Sequence, residues 1–204
     1  MSRAALRATA LLAPLALAGL TGCGGAPAGS PASAPTPHIA PASAAPAAVP
    51  AATAMPASEP VRVRIPSAGV DTSPVLGLGL AADGTVEVPS VADADRIGWY
   101  TKGVTPGQTG PAVLIGHFDT ARGPAVLKDV SRVRTGEEIT ISRADGTTAV
   151  FRVRELEQVD KKHFPTAKVY GDTARPELRV ITCGGEITNG HRPDNIILYA
   201  DLVG

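Results

Sequence analysis

The sequence predicts an all-β domain, a barrel of about eight short strands with short helical insertions. Three observations carry that reading. Short runs rich in Val and Ile recur along the chain, Gly and Pro punctuate them, and few windows show helical periodicity.

Composition locates the domain first. The chain has 204 residues; every Tyr, Phe and Trp lies after residue 60, while residues 24–60 are mostly Ala, Pro, Ser and Gly. Such a segment buries too little apolar surface to offset the entropy of ordering it. Residues 24–60 are therefore expected to be a disordered tether, reaching about 115 Å at most at roughly 3.1 Å per residue. Residues 61–204 form one folded domain, large enough for a single core. The chain carries 19 Lys and Arg against 19 Asp and Glu. That balance offers nothing to a phosphate backbone, so nucleic acid is not an expected partner.

The first 23 residues, "MSRAALRATALLAPLALAGLTGC", open with Arg3 and Arg7 and continue as an uncharged Leu- and Ala-rich stretch from Ala8 to Leu20. The stretch is shorter than the roughly 20 apolar residues of a membrane-spanning helix and reads as a signal peptide. Its ending, Leu20-Thr21-Gly22-Cys23, resembles a bacterial lipobox, which implies lipidation of Cys23 and anchorage at the outer face of the membrane. A plain secretory signal is the other reading. Both place the domain outside the cytoplasm.

Within the domain, "VRVRI" (61–65) alternates with period two, and "GTVEV" (84–88) follows the turn signal Asp83-Gly84; both read as half-buried strands. "PAVLIGHFD" starts as an apolar run and ends in Gly116-His117. "EEITIS" and "TTAVFRVREL" flank "RADG", a hairpin turn. "ELRVIT" and "NIILYADL" complete the strands. Helical candidates are "PAVLKDVSRV" (124–133) and a turn near "FPTAKVYG".

Two positions stand out by placement. His117 and Cys183 each follow an apolar strand and precede a loop, where a rigid barrel can aim a reactive group. If Cys23 carries lipid, Cys183 is unpaired in a compartment where thiols are oxidised or paired. A thiol beside a histidine can become a thiolate, the species that attacks carbonyls. Singly, a Cys is a small buried hydrophobe and a His a structural hydrogen-bonder. Together with export and strand-end placement they indicate catalysis. A zinc site is disfavoured, since the domain offers one Cys and three scattered His (117, 163, 191). No cofactor is expected, and Glu137, Glu138 and Asp160 are too dispersed to suggest calcium.

"GPAVLIGHFD" (110–119), "LRVITCGG" (178–185) and "DNIILYADL" (194–202) resemble a sortase, and Thr182-Cys183-Gly184-Gly185 resembles the class F sortases of actinobacteria. The likeness extends through "RIPSAGVDTSPV", "GWY" and "FPTAKVYG", covering essentially all of residues 61–204. It implies a sortase-type eight-stranded barrel and a cysteine transpeptidase that attaches secreted proteins to the cell envelope. Carried onto this chain, Cys183 is the nucleophile and His117 the general acid and base. Arg192, the only arginine after Cys183, is the candidate for the family's oxyanion-holding arginine. The Cys183–Asn195 segment is shorter than the class pattern and sets Arg192 before the strand with Pro193 between, so Asn195 is the alternative donor. Asp119, Thr182, Gly184 and Asn195 are the supporting positions, with Asp119 orienting the loop after His117 or making a turn.

The resemblance implies these partners: secreted proteins with a Leu-Pro-x-Thr-Gly-like sorting signal, a peptidoglycan-precursor amine, and the membrane through the N-terminal lipid. No heptad pattern or long apolar stripe is present, so a monomer is expected. A hydrolytic cysteine peptidase would use the same Cys and His, and an inactive peptide-binding lipoprotein would keep only the groove. An L,D-transpeptidase has a compact Ser/His-Gly-Cys-x-Arg-like stretch, which "VITCGGEI" is not.

Overall fold

The computed structural model describes residues 52–203. The signal peptide, the lipidation site Cys23 and the tether up to residue 51 lie outside the described residues.

Eleven strands and one short α-helix follow in order: β1 (Pro60–Ile65), β2 (Val70–Thr72), β3 (Leu76–Leu78), β4 (Ile97–Tyr100), β5 (Gly110–Gly116), β6 (Asp119–Thr120), β7 (Gly123–Pro124), β8 (Glu138–Arg143), β9 (Thr148–Asp160), α1 (Thr166–Tyr170), β10 (Pro176–Gly184) and β11 (Asp194–Leu202). Nine form one sheet in the order β2-β1-β8-β9-β11-β10-β5-β4-β3, and β6 and β7 form a separate ribbon. The class expected from the sequence holds. The main sheet has nine strands rather than eight, and its edges β2 and β3 do not pair with one another. It is nevertheless strongly curled: Val63 and Ile65 of β1 share one buried cluster with Trp99 of β4 and Leu114 of β5, from the far side of the sheet. Each such fully buried aliphatic side chain contributes roughly 2 kcal/mol.

Alternation divides the central strands between two faces. Ala112, Leu114, Leu178, Val180, Ile196 and Leu198 point into the main cluster. Val113, Ile115, Ile181, Ile197 and Tyr199 point the other way, into a second cluster partly covered by Phe164 and Tyr170 from the segment between β9 and β10.

β9 runs further than its apolar start suggests. Tyr199 pairs with Glu155 and Ala200 with Val153, so Arg154 is an extra residue, a β-bulge. The bulge reverses the phase: Ala149, Phe151 and Val153 face the main cluster before it, whereas Val159 faces the second cluster after it.

Three local expectations fail for identifiable reasons. "GTVEV" makes only a bridge, Leu80 to Val86, because no strand lies alongside it; the Glu87 carboxylate accepts the Gly79 N–H at 2.7 Å, and Val88 is left 57% exposed. The candidate helix over 124–133 is a chain of turns ending in a 3-10 turn, Val130–Arg132. Leu127, Val130 and Val133 are all buried, a spacing of three that imitates helical periodicity. Finally, the tether does not extend to residue 60. Met55 N–H donates to Gly107 O at 2.8 Å, Ser58 N–H donates to Thr105 Oγ1 at 3.0 Å, and Ala52 and Met55 pack against the main cluster. Arg143, whose side chain is 0% exposed, donates to Pro56 O from beneath this strap.

Candidate active site

β5 runs parallel to β10 with Ile115 opposite Ile181. Two residues further on, β5 has just ended at His117 and β10 carries Cys183, so both reach the same rim. Alternation puts them in phase with Ile115 and Ile181, while Cys183 also packs against the main cluster. Asn195 of β11 is the register partner of Cys183. A groove of ≈ 1070 Å³ lined by Tyr100, Val113, Phe164, Tyr170, Lys161 and Asn195, among others, adjoins the rim through Lys161 and Asn195, the neighbours of Cys183.

The glycines beside each candidate explain why the motifs have no side chain there. A Cβ on Gly116 would stand 2.9 Å from Leu127 Cδ1 and from Val126 Cγ1, in the turns after β7, whose Leu127 N–H donates to His117 O at 2.9 Å. A Cβ on Gly184 would meet Ile196 Cγ1 at 2.8 Å, and Gly185 has φ +79°. From there a small hairpin turning at Asn189 (φ 51°) and Gly190 (φ 79°) brings the chain back to Arg192.

Each polar group has a definite partner. His117 Nε2 lies 2.7 Å from Pro89 O. A carbonyl only accepts, so the neutral ring carries its proton on Nε2 and leaves Nδ1 basic. Arg192 is held on two sides: Nε and Nη2 donate to the Asp119 carboxylate at 3.0 and 2.6 Å, and Nη1 donates to Gly185 O at 2.6 Å. Its guanidinium carbon sits 4.7 Å from the centre of the Phe118 ring, and its side chain is only 9% exposed. One N–H on each terminal nitrogen remains beyond these bonds. Cys183 Sγ lies 3.5 Å from Lys161 Nζ. No hydrogen bond joins His117 to Cys183 among the described residues.

A family model described as a sortase domain matches residues 63–203. The chain belongs to the sortase family. Its members are cysteine transpeptidases, and the fold agrees with solved sortases. A lid mutant of Streptococcus agalactiae sortase C1 superposes with TM-score 0.54 at 14% identity, covering 70% of this chain and 67% of that one. Sortase C-1 from Actinomyces oris gives 0.53 at 20% identity, over 72% and 76%. Sortase A from Corynebacterium diphtheriae gives 0.53 at 17% identity, over 72% and 62%. No curated protein matches the chain.

In this sortase the rim gathers most of the site residues singled out from the sequence. Asn195 is the register partner of Cys183, His117 stands at the same end of the neighbouring strand, Asp119 pairs with Arg192, and Gly184 adjoins Cys183. Thr182 alone points inward: it is 3% exposed and its Oγ1 has no hydrogen-bond partner. The expected oxyanion donor, Arg192, has its guanidinium largely committed to Asp119 and Gly185 O.

Sequence reasoning missed two neighbours of the pair, Pro89 and Lys161. Pro89 acts through its carbonyl, which carries no residue signature. Lys161 sits in "DKKHF", where nothing distinguishes it from Lys162 until the end of β9 is located.

A charged network holds the groove wall behind this sortase's rim. Arg179, under α1, donates to Lys168 O at 3.4 Å and to Glu177 Oε2 at 2.7 Å. Tyr199 O–H donates to Glu157 at 2.7 Å, and Lys168 Nζ reaches Glu155 at 2.6 Å and Glu157 at 2.9 Å. Burial pushes the Glu177 carboxyl up, but the hydrogen bonds from Arg179 and Arg154 outweigh it and hold the group below its ordinary value. Burial, with the Glu157 bond adding to it, pushes the Tyr199 hydroxyl far up.

Proposed function

We propose that this sortase is of the class F type and cleaves a Leu-Pro-x-Thr-Gly-like sorting signal between Thr and Gly, passing the acyl group to an amine of the cell wall. The observation that carries the reading is that His117 and Cys183 stand at the same end of two adjacent parallel strands, with the groove-lining Lys161 and Asn195 beside Cys183. The groove's aromatic and aliphatic lining suits an extended apolar peptide segment.

In the first step the Cys183 thiolate attacks the Thr carbonyl carbon. The C–S bond forms, the C–N bond breaks, and His117, protonated on Nδ1, gives its proton to the departing glycine amine. In the second, an incoming amine attacks the thioester while neutral His117 accepts a proton and Cys183 leaves as thiolate. Pro89 O fixes the ring for both. Arg192 supports the site as a clamp: it ties the segment after His117, through Asp119, to the segment after Cys183, through Gly185 O. Its two remaining N–H groups, with the Asn195 amide, are the donors available to an oxyanion.

Lipidation at Cys23 would hold the domain at the outer face of the membrane, where sorting-signal proteins and wall precursors meet. The deciding experiment is mass spectrometry of the protein with a Leu-Pro-x-Thr-Gly peptide library, with and without a glycine-type amine, beside Cys183→Ala. The expected result is a Cys183-dependent thioester that the amine resolves to an amide, and none with a folded Cys183→Ala chain. Resolution by water alone, whatever amine is supplied, would favour the hydrolytic peptidase; a reactive thiol that forms no adduct would favour the binding protein.

A further inference from the structure

The family pattern assigns the site's positive charge to an arginine after the nucleophile. Two observations point elsewhere in this chain. The first is that Arg192 is already neutralised, with two of its nitrogens on the Asp119 carboxylate at 3.0 and 2.6 Å. A cation paired in this way presents a dipole rather than a full charge, and its field falls off steeply with distance. The second is Lys161, whose Nζ stands 3.5 Å from Cys183 Sγ and makes no ion pair with a carboxylate among the described residues.

Lys161 is also well placed by its backbone. β9 ends at Asp160, opposite Asp194 of β11, and Lys161 opens the 3-10 turn Lys161–His163 just beyond that end. Its N–H donates to Pro193 O at 3.0 Å, immediately before β11 begins. Asp160 caps the turn, accepting the Lys162 N–H at 2.7 Å. The carboxylates nearby have other partners: Asp160 takes the Lys162 N–H, and Asp194 accepts from Gln158 Nε2 at 2.6 Å. The side chain then runs back along the groove, which it lines beside Asn195, to the sulfur.

We infer that Lys161 is a catalytic residue of this site: its ammonium supplies the positive charge that holds the Cys183 thiolate and then flanks the carbonyl carbon being attacked. The inference rests on the reading of Cys183 as nucleophile. During acylation the new C–S bond and the breaking C–N bond exchange electrons through the carbonyl oxygen, and the proton for the leaving amine comes from His117. Lys161 donates hydrogen bonds and keeps its own protons throughout. Lysine suits this place, as a compact charge on a flexible stem can follow the sulfur from thiolate to thioester.

The test uses the charge preference of the thiol. Rates of alkylation by anionic iodoacetate and neutral iodoacetamide are measured at one pH and low salt for the full chain and for Lys161→Met, Lys161→Arg and Lys162→Met. A neighbouring cation favours the anionic reagent, so the ratio of the two rates is expected to fall about fivefold in Lys161→Met. It is expected to stay near the wild-type value in Lys161→Arg and Lys162→Met. At about 1 M salt the wild-type ratio should approach that of Lys161→Met, because the Debye length shrinks to about 3 Å. A ratio unchanged by Lys161→Met, in a chain of unaltered thermal stability, overturns the inference, and so does an equal fall in Lys162→Met. Thioester formation from a sorting-signal peptide is followed in the same samples and should slow at least tenfold in Lys161→Met. A wild-type chain with the expected charge preference but no thioester from any peptide would overturn the transpeptidase reading while supporting Lys161 as the cation at the sulfur. The two failures therefore look different.

Discussion

Thr182 and Arg192 flank Cys183 in sequence and behave in opposite ways. Thr182 Oγ1 is buried without a partner, which leaves its desolvation uncompensated. Thr182→Val keeps the shape and removes the orphan hydroxyl. It is expected to raise stability by about 1 kcal/mol in a urea or thermal melt with Cys183 reactivity intact; a loss of stability would mean the hydroxyl has a partner in solution. Arg192, by contrast, uses the planar fork that a lysine lacks. Arg192→Lys should keep the fold but lower kcat for acyl transfer by about tenfold, since it frees the segments after His117 and Cys183 from one another. Full activity in that variant would remove the clamp from the mechanism. At this scale the strand-end positions of His117 and Cys183 were legible, because Gly-His and Cys-Gly-Gly follow apolar runs. The Arg192–Asp119 pair spans 73 residues, a distance no local pattern reports.

Among the elements, those buried on both faces were the easiest to read. β5 is a continuous apolar run because it is covered on two sides, β10 keeps apolar side chains around its paired Glu177 and Arg179, and "RADG" closes the β8–β9 hairpin as its Gly146, with φ +82°, requires. The second half of β9 was obscured by its bulge, since Arg154 shifts the alternation and Glu155 and Glu157 then stand on the groove face beside Lys168. These charges fasten α1 and the groove wall to the sheet. Glu177→Gln would leave Arg179, whose side chain is 2% exposed, without its carboxylate, at a cost of about 3 kcal/mol. The pH dependence has a definite sign: the folded-state value of Glu177 lies below its ordinary 4.5, so its contribution is fully present above that pH and is lost as pH falls through the folded value. Denaturant melts should therefore weaken below about pH 4.5 in the wild type, and less steeply in Glu177→Gln. Equal slopes would place the acid sensitivity in another group.

For the whole molecule, the sequence pointed to the right class, and the packed structure begins earlier than composition suggests. Residues 52–59 look like tether because they are Ala-, Pro- and Ser-rich, yet they bind through main-chain groups, which composition does not register. That strap has a mechanical consequence. Gly107 lies just before the start of β5 and Arg143 at the turn end of β8, so the strap is fastened at the pole opposite His117 and Cys183. A pull transmitted through the preceding chain is taken up by the Met55–Gly107 and Arg143–Pro56 bonds. A load arriving at residue 52 would therefore reach β1 and the Gly107 end of β5 before it reached the far end of β5 and β10, where His117 and Cys183 stand.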